Sequence, residues 1–189
     1  MILKRTKRVY LRPLEIGDTE KIVSWRNRDF VRKNFIYQEL FTEEGHLNWI
    51  RTQIETGRVK QFIICLSDGR EIGSVYLRDI DREKGVAEYG IFIGEEDAIG
   101  CGYGTAAAKK ALDYAFGELH LDKIILRFMA DNIKAQKSYE HAGFRMTDRT
   151  EKATTIQGER EVRFMEIDHS IWETAKTDGK SSRNGEKHE

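Results

Sequence analysis

The stretch over residues 87–116 constrains the fold most, because an apolar strand pattern, a glycine-rich loop and an amphipathic helix pattern follow one another there. Residues 87–94 read AEYGIFIG, and Gly100, Gly102 and Gly104 precede an Ala-rich helical pattern. The first amides of a helix have no partner inside the helix and lie at the positive end of its dipole. The sequence therefore predicts a strand–loop–helix unit whose helix start suits an anion such as a pyrophosphate.

Three kinds of glycine loop are compared with this one. A dinucleotide-binding fold has G-x-G-x-x-G after its first strand, whereas this loop reads G-x-G-x-G in mid-chain. A nucleotide triphosphatase loop ends in Gly-Lys-Ser/Thr, but here Gly104 precedes Thr105. The pyrophosphate loop of the GNAT N-acetyltransferases, Arg/Gln-x-x-Gly-x-Gly/Ala, is similar at Gly102 and Gly104, although Ile99 stands at its Arg/Gln position. A glycine turn that binds nothing is the fourth alternative.

Length and charge limit the classes of protein to consider. The chain has 189 residues, with 32 basic and 32 acidic side chains and no net charge. This length suits one domain with a sizeable core, which we expect over residues 1–177. Residues 178–189 carry no large apolar side chain and are predicted to form a disordered polar tail. A neutral chain has no global bias toward nucleic acid or an anionic membrane, so neither is an expected partner.

Cysteine and histidine usage favours a reduced protein without a metal. Cys65 and Cys101 do not make a disulfide framework, and the five histidines show no metal-ligand spacing with them. The apolar runs are too short to span a bilayer, and the N-terminal residues lack the apolar core of a signal peptide. These features predict a cytoplasmic protein.

Periodicity predicts alternating strands and helices. Alternating or continuous apolar runs predict strands, here at residues 9–14, 60–66, 71–80, 86–93, 123–129, 144–154 and 160–167. Helical spacing and capping residues predict helices, here starting at Asp18, Thr42, Gly102, Asn132 and Asp168. A strand, helix and strand over 86–129 make a parallel crossover.

A second block makes the family resemblance specific. Residues 132–144 read NIKAQKSYEHAGF, and in the GNAT family this region has Asn, a small residue, a hydroxyl residue before Tyr, and Gly-Phe. The matching residues are Asn132, Ala135, Ser138, Tyr139, Gly143 and Phe144. With the glycine loop and the element order, the chain resembles the GNAT acetyltransferases over about residues 9–167. Residues 25–27 (WRN) and the AEYGIFI strand resemble the branch that acetylates ribosomal-protein N-termini, polyamines and nucleotide-linked amino sugars.

The resemblance implies an α/β (α+β) fold. We expect a mixed central sheet of about seven strands with helices on both faces. In the family, two neighbouring strands splay apart to admit acetyl-CoA. The chain is then an N-acetyltransferase that uses acetyl-CoA and no metal, and that transfers the acetyl group by direct attack of a primary amine.

Two catalytic residues are implied by the resemblance. Tyr139 matches the general acid that protonates the leaving thiolate. Glu88 lies near the start of the splayed strand, where alternation puts it on one face with Gly90 and Phe92, and it is the candidate general base through a water. A salt bridge to an adjacent strand is the alternative for Glu88, and core packing is the alternative for Tyr139.

The resemblance also implies the residues that bind acetyl-CoA. Backbone groups of the strand should pair with pantetheine, loop amides should hold the pyrophosphate, and the second block should line the pantetheine. The residues concerned are Ile91, Phe92, Ile93, Gly100, Cys101, Gly102, Tyr103, Gly104, Thr105, Asn132, Ser138 and Tyr139.

The acceptor is the least constrained prediction. Arg26, Asn27 and Glu88 are the candidate acceptor-binding residues, and a small amine such as a nucleotide-linked amino sugar is the lead acceptor, since basic and aromatic residues follow Trp25. Carboxylates of the segment 39–44 leave a polyamine open, and a protein N-terminus is a third option. A CoA-binding regulatory module without turnover is the alternative class. We expect a monomer or homodimer.

Overall fold

The computed structural model describes residues 8–184, with side chains described as far as residue 176. Its centre is a seven-stranded mixed sheet in the order β1-β2-β3-β4-β5-β7-β6. The strands are β1 (Val9–Pro13), β2 (Lys60–Leu66), β3 (Glu71–Asp81), β4 (Val86–Ile93), β5 (Lys123–Met129), β6 (Arg145–Thr155) and β7 (Gly158–Asp168). The predicted sheet of about seven strands is confirmed.

The helices are α1 (Thr19–Asn27), α2 (Asp29–Arg32), α3 (Glu43–Trp49), α4 (Tyr103–Gly117), α5 (Ile133–Ala142) and α6 (His169–Asn184). A π-helical turn, Ile50–Ile54, continues α3. Residues 178–184, predicted to be disordered, are the end of α6 in the structure. No proline lies between Asp168 and Asn184 to end the helix. The buried side chain of Trp172 packs the start of the helix against the core. Residues 185–189 lie outside the described residues.

A fork between β4 and β5 is the feature that positions the site. All neighbouring strands pair antiparallel except these two, which are parallel and pair only at Val86–Lys123, Ala87–Ile124 and Glu88–Ile125. Beyond Glu88, β4 keeps its pairing with β3 as far as Ile93. One backbone edge of residues 89–93 therefore faces an opening in the sheet.

Both faces of the sheet are covered, as β2 illustrates. Phe62 and Ile64 pack in the main core together with the alanines of α4. Ile63 and Cys65, which alternate with them, pack in a second cluster with residues of α1 such as Ile22. Because successive strand residues point to opposite faces, a continuous apolar run fits a strand that is buried on both sides.

The capping predictions have different outcomes. Thr42 caps α3, since its hydroxyl accepts a hydrogen bond from the Gly45 amide at 3.1 Å, as predicted. Asp18 occupies the N-cap position of α1 but makes no capping bond to that helix. Its carboxylate instead accepts from the Glu15 amide at 2.8 Å and from Arg12. Since a guanidinium is a stronger partner than an exposed amide, Asp18 joins β1 to the turn before α1.

Trp25 fixes α1 against the end of β4. Its indole is 2% exposed and donates to Glu95 Oε1 at 2.7 Å. Arg28 donates to the carbonyl of Gly94 at 2.6 Å. A Cβ on Gly94 would lie 2.2 Å from Trp25 Cγ, so only glycine allows this contact.

Gly94→Ala should therefore destabilise the protein by about 1–3 kcal/mol, the usual cost of forcing extra atoms into a packed site. Urea unfolding followed by circular dichroism measures the change. Gly17→Ala is the matched control, since a Cβ there meets nothing within 4 Å. Equal free energies of unfolding for the two variants would show that the Trp25 contact does not hold α1 in place.

Candidate active site at the fork between β4 and β5

A cleft of about 540 Å³ runs through the fork. Its lining brings together the far half of β4, the glycine loop, and the starts of α4 and α5. Of the predicted cofactor-binding residues, ten line it: Ile91, Phe92, Ile93, Gly100, Gly102, Gly104, Thr105, Asn132, Ser138 and Tyr139. The glycine loop and the block over residues 132–144, which β5 separates in the sequence, thus line one cleft.

The start of α4 offers unpaired amides to this cleft. Gly102 takes the N-cap position with φ 82°, a left-handed conformation, and no side chain caps the helix. Gly100 has φ 72°. Both values are ones that glycine adopts without strain. A helix start without a side-chain cap leaves its amides for an anion, which fits the predicted pyrophosphate contact.

The starts of α4 and α5 are held together at the cleft wall. The hydroxyls of Thr105 and Ser138 lie 3.1 Å apart, and Thr105 also donates to the Ser138 carbonyl at 3.3 Å. A Cβ on Gly104 would come within 3.3 Å of Ser138 Oγ. Asn132 caps α5, since its Oδ1 accepts from the Ala135 amide at 3.2 Å. These bonds make one rigid wall of two helices.

Tyr139 lies on the α4 and α5 face of the sheet. Its ring packs edge-to-face against Tyr89 at 6.2 Å and Phe128 at 5.8 Å, and only 8% of the residue is exposed. Burial raises the pKa of the Tyr139 hydroxyl well above its usual range. The phenol therefore keeps its proton at neutral pH and can donate it or a hydrogen bond to a group in the cleft.

Glu88 lies on the opposite face, where two arginines hold it. Its Oε1 accepts from Arg78 of β3, at 3.1 Å to Nε, and from Arg127 of β5, also at 3.1 Å. The salt bridge that was the alternative role of Glu88 in the sequence analysis is thus present, and it involves two arginines. Oε2 makes no hydrogen bond to any of the residues 8–176, so this oxygen is free to bind a water. Glu88, Arg78 and Arg127 all line the cleft.

Tyr76 lies beside Glu88 on the same face. It pairs in register with Gly90 across β3 and β4, and a Cβ on Gly90 would come within 2.3 Å of the Tyr76 ring. Gly90 therefore lets the tyrosine lie flat over β4. Tyr76 lines this cleft and also a second cavity of about 350 Å³, so it forms part of the wall between them.

The two predicted acceptor residues of α1 separate in the structure. Arg26 is 6% exposed and lines the second cavity. Asn27 lines neither cavity, because its amide bonds the backbone of Phe41, accepting at 2.8 Å and donating at 2.9 Å. The side chain of Asn27 therefore holds the loop that follows α2.

Two predicted loop contacts lie outside the cleft lining. Cys101 directs its thiol to the Asp97 carbonyl at 3.5 Å, and the side chain of Tyr103 packs against the main core. Their backbone amides lie in the glycine loop and at the start of α4, where a cofactor can contact them. Ile99, at the position where the family has Arg or Gln, does line the cleft.

Sequence reasoning missed Arg78, Arg127 and Tyr76. Period-two alternation was the available signal, since Tyr76 and Arg78 share the face of β3 that pairs with Gly90 and Glu88. Arg127 required knowledge of the register across the fork. Residues 8–176, whose side chains are described, contain no cluster of three potential metal ligands. No helix within residues 8–184 is long and apolar enough to cross a membrane.

Comparison with known proteins places this site in a family. The family model of the acetyltransferase (GNAT) domain matches residues 8–145. The probable N-acetyltransferase YjcK of Bacillus subtilis (strain 168) is 32% identical over 161 residues, covering 80% of this chain and 88% of that protein. Spermidine N(1)-acetyltransferase of Escherichia coli (strain K12) is 31% identical over 180 residues, covering 92% and 93%.

A solved structure gives the same result. Spermidine N-acetyltransferase from Vibrio cholerae, in complex with CoA and spermine, superposes with a TM-score of 0.81 at 26% identity, covering 87% of this chain and 97% of that one. The overall fold is therefore shared with that acetyltransferase. The chain belongs to the GNAT acetyltransferase family.

Proposed function

We propose that this acetyltransferase moves the acetyl group from acetyl-CoA to a primary amine by direct attack. One observation carries the proposal: a single cleft joins the uncapped start of α4 to Tyr139 on one face of the sheet and Glu88 on the other. Only a ligand that passes through the fork can contact all three. Bound acetyl-CoA supplies an activated acyl carbon and a thiolate leaving group.

The residues present fit that co-substrate. The amides at the start of α4 suit its pyrophosphate, and the free edge of residues 89–93 suits the pantetheine amides, which can add to β4 as a further strand would. Asn132 and Ser138 line the adjacent wall. The chain needs no bound metal for this chemistry.

Glu88 prepares the acceptor amine. An amine with a pKa of about 10.4 is mostly protonated at pH 7, and exposing its lone pair costs about 4–5 kcal/mol. A water on Oε2 of Glu88 can take that proton and pass it to solvent. Arg78 and Arg127 hold the carboxylate at the fork, so its position does not depend on the acceptor.

Tyr139 acts on the departing sulfur. Because its buried hydroxyl stays protonated, it donates a hydrogen bond to the developing thiolate, and the proton that is finally consumed is replaced from solvent. The aromatic packing of Tyr139 fixes the direction of the hydroxyl. No covalent acetyl-enzyme is required, and Cys101, whose thiol contacts the Asp97 carbonyl, does not line the cleft.

The lead acceptor is a small amine on an anionic molecule, such as a nucleotide-linked amino sugar. Among the described residues that line the cleft, Arg78, Arg127, Lys134 and Lys137 outnumber the one carboxylate, Glu88, so the lining carries surplus positive charge. A diphosphate is attracted by such a surface. The carboxylates expected to serve a polyamine, Glu39 and those of residues 43–44, are exposed and line neither cavity.

A polyamine is the second candidate. It is favoured by the relatives from Escherichia coli and Vibrio cholerae, both named as spermidine acetyltransferases. Transfer to a protein N-terminus and a regulatory module without turnover remain further alternatives. A cytoplasmic location and a monomer or homodimer stay predictions.

Replacing Tyr139 with Phe should lower kcat by about 10²–10⁴-fold, the usual contribution of a general acid. The affinity for acetyl-CoA should change little, because the ring that packs against the core is retained. Thiol release at saturating substrates measures kcat, and calorimetry measures the affinity. Since burial raises the pKa of Tyr139, ionisation of this residue should cause no loss of wild-type kcat between about pH 6 and pH 10.

Tyr10→Phe is the matched control, because it removes a hydroxyl from a tyrosine that is 48% exposed on β1. Its kcat should equal that of the wild type. An unchanged kcat in the Tyr139 variant, measured where chemistry limits the rate, would assign the acid to another group.

An amine panel tests the acceptor. At saturating acetyl-CoA we expect the highest kcat/KM for a nucleotide-linked amino sugar, and competitive inhibition by a nucleoside diphosphate against that acceptor. Saturation keeps the diphosphate out of the co-substrate site. Turnover of spermidine or of a ribosomal-protein peptide, with no inhibition by the diphosphate, would replace the lead acceptor with that amine.

A further inference from the structure

The second cavity adjoins the fork on the acceptor side. It has a volume of about 350 Å³ and shares five of the described lining residues with the first cleft: Phe35, Tyr37, Tyr76, Arg78 and Phe92. Six of the fourteen described residues that line it are Phe, Tyr or Trp: Phe35, Tyr37, Phe41, Trp49, Tyr76 and Phe92. Because the two cavities share a wall, a group that enters this one can belong to the same small molecule as an amine at Glu88.

Arg26 is buried in the wall of this cavity. Its guanidinium carbon lies 3.2 Å from the centre of the Phe35 ring and 4.3 Å from that of Phe41. The two rings stabilise the cation through their faces, but they accept no ordinary hydrogen bond. Its NH1 has no hydrogen-bond partner among the described residues. Burial lowers the pKa of Arg26 to about 10.

A buried guanidinium without a counter-ion is costly. No Asp or Glu is among the described residues that line the cavity, and Arg26 forms no ion pair with residues 8–176. A second unpaired group is present in the same wall. His46 is 3% exposed, its Nδ1 lies 3.0 Å from the Thr19 hydroxyl, and its Nε2 has no partner.

We propose that the second cavity binds an anionic group of the acceptor, a phosphate or a carboxylate, through Arg26 and His46. The aromatic side chains of the cavity then pack against a ring of the acceptor, to which the anionic group is attached. This inference rests on the proposed function only in taking the first cleft as the place of the reacting amine. It adds a pocket that the glycine loop does not line, and of the two arginines at Glu88 only Arg78 borders it.

The test is calorimetric titration of the protein saturated with CoA, so that the probes cannot occupy the co-substrate site. Uridine diphosphate is the phosphate probe and benzoate is the carboxylate probe. Binding of one probe per chain is expected in at least one arm, and the arm that binds identifies the anion. Absence of binding in both arms would overturn the proposal.

Arg26→Gln should weaken binding of the successful probe by about tenfold or more, since it removes a charged donor. Arg32→Gln is the matched control, because Arg32 is an arginine of α2 that pairs with Asp29 and lines neither cavity. Equal affinities for the wild type and the Arg26 variant would overturn the proposal.

Two readouts separate this role from a purely structural one. Without ligand, Arg26→Gln should melt no lower than Arg32→Gln, because it relieves an unpaired buried charge; a much lower melting temperature would make Arg26 a packing residue. The wild type gives an independent signal, since Trp49 lines the cavity. A probe should change the fluorescence of the CoA-saturated protein, and Trp49→Phe should abolish this change.

A probe signal that persists in the Trp49 variant would place the probe elsewhere and overturn the proposal. None of these measurements needs turnover. Failure to acetylate any amine would therefore not contradict the proposed anion pocket. Failure of probe binding would not contradict the proposed acetyltransferase activity.

Discussion

The early end of pairing between β4 and β5 is the constraint on which the rest of the structure depends. Parallel pairing stops at Glu88, and at that residue Arg78 and Arg127 reach in from the strands on either side. The three side chains are 15–23% exposed, so the ion pairs are partly shielded from water. If either arginine were removed, the partly buried carboxylate of Glu88 would keep only one cationic partner, which is unfavourable. The two ion pairs therefore hold β3, β4 and β5 together where the sheet opens.

The opening lets side chains from both faces of the sheet line one cleft. Tyr139 approaches from the helices on one face, and Glu88 and Tyr76 from the other, so the proposed acid and the proposed base line the cleft from opposite faces of the sheet. Glycines make the approach possible, since Gly90 admits the Tyr76 ring and Gly104 brings α4 against Ser138. The unpartnered nitrogens Arg26 Nη1 and His46 Nε2 belong to residues that line the second cavity, which shares Tyr76 and Phe92 with the cleft at the fork.

Local pattern was enough to predict the scaffold. The bounds of β2, β4 and β5 follow from apolar runs that turn residues interrupt, and both family blocks lie in the cleft as the resemblance implies. Contacts that depend on register were not predictable. Arg127 meets Glu88 through a crossover of more than thirty residues, and Asp18 prefers Arg12 to its own helix. Phe35 and Phe41, on which Arg26 stacks, lie in the loop between α2 and α3, whose sequence has no periodicity and gives no signal of this contact.

Hydrogen exchange with and without CoA tests most directly the claim that the fork and the glycine loop form one co-substrate site. The account predicts slower exchange of amides in residues 89–93 and 100–105, because both segments have amide groups that the fold leaves for a ligand. The exposed edge strand β6 should be unchanged. Binding of CoA that protects neither segment, or only one of them, would contradict the account.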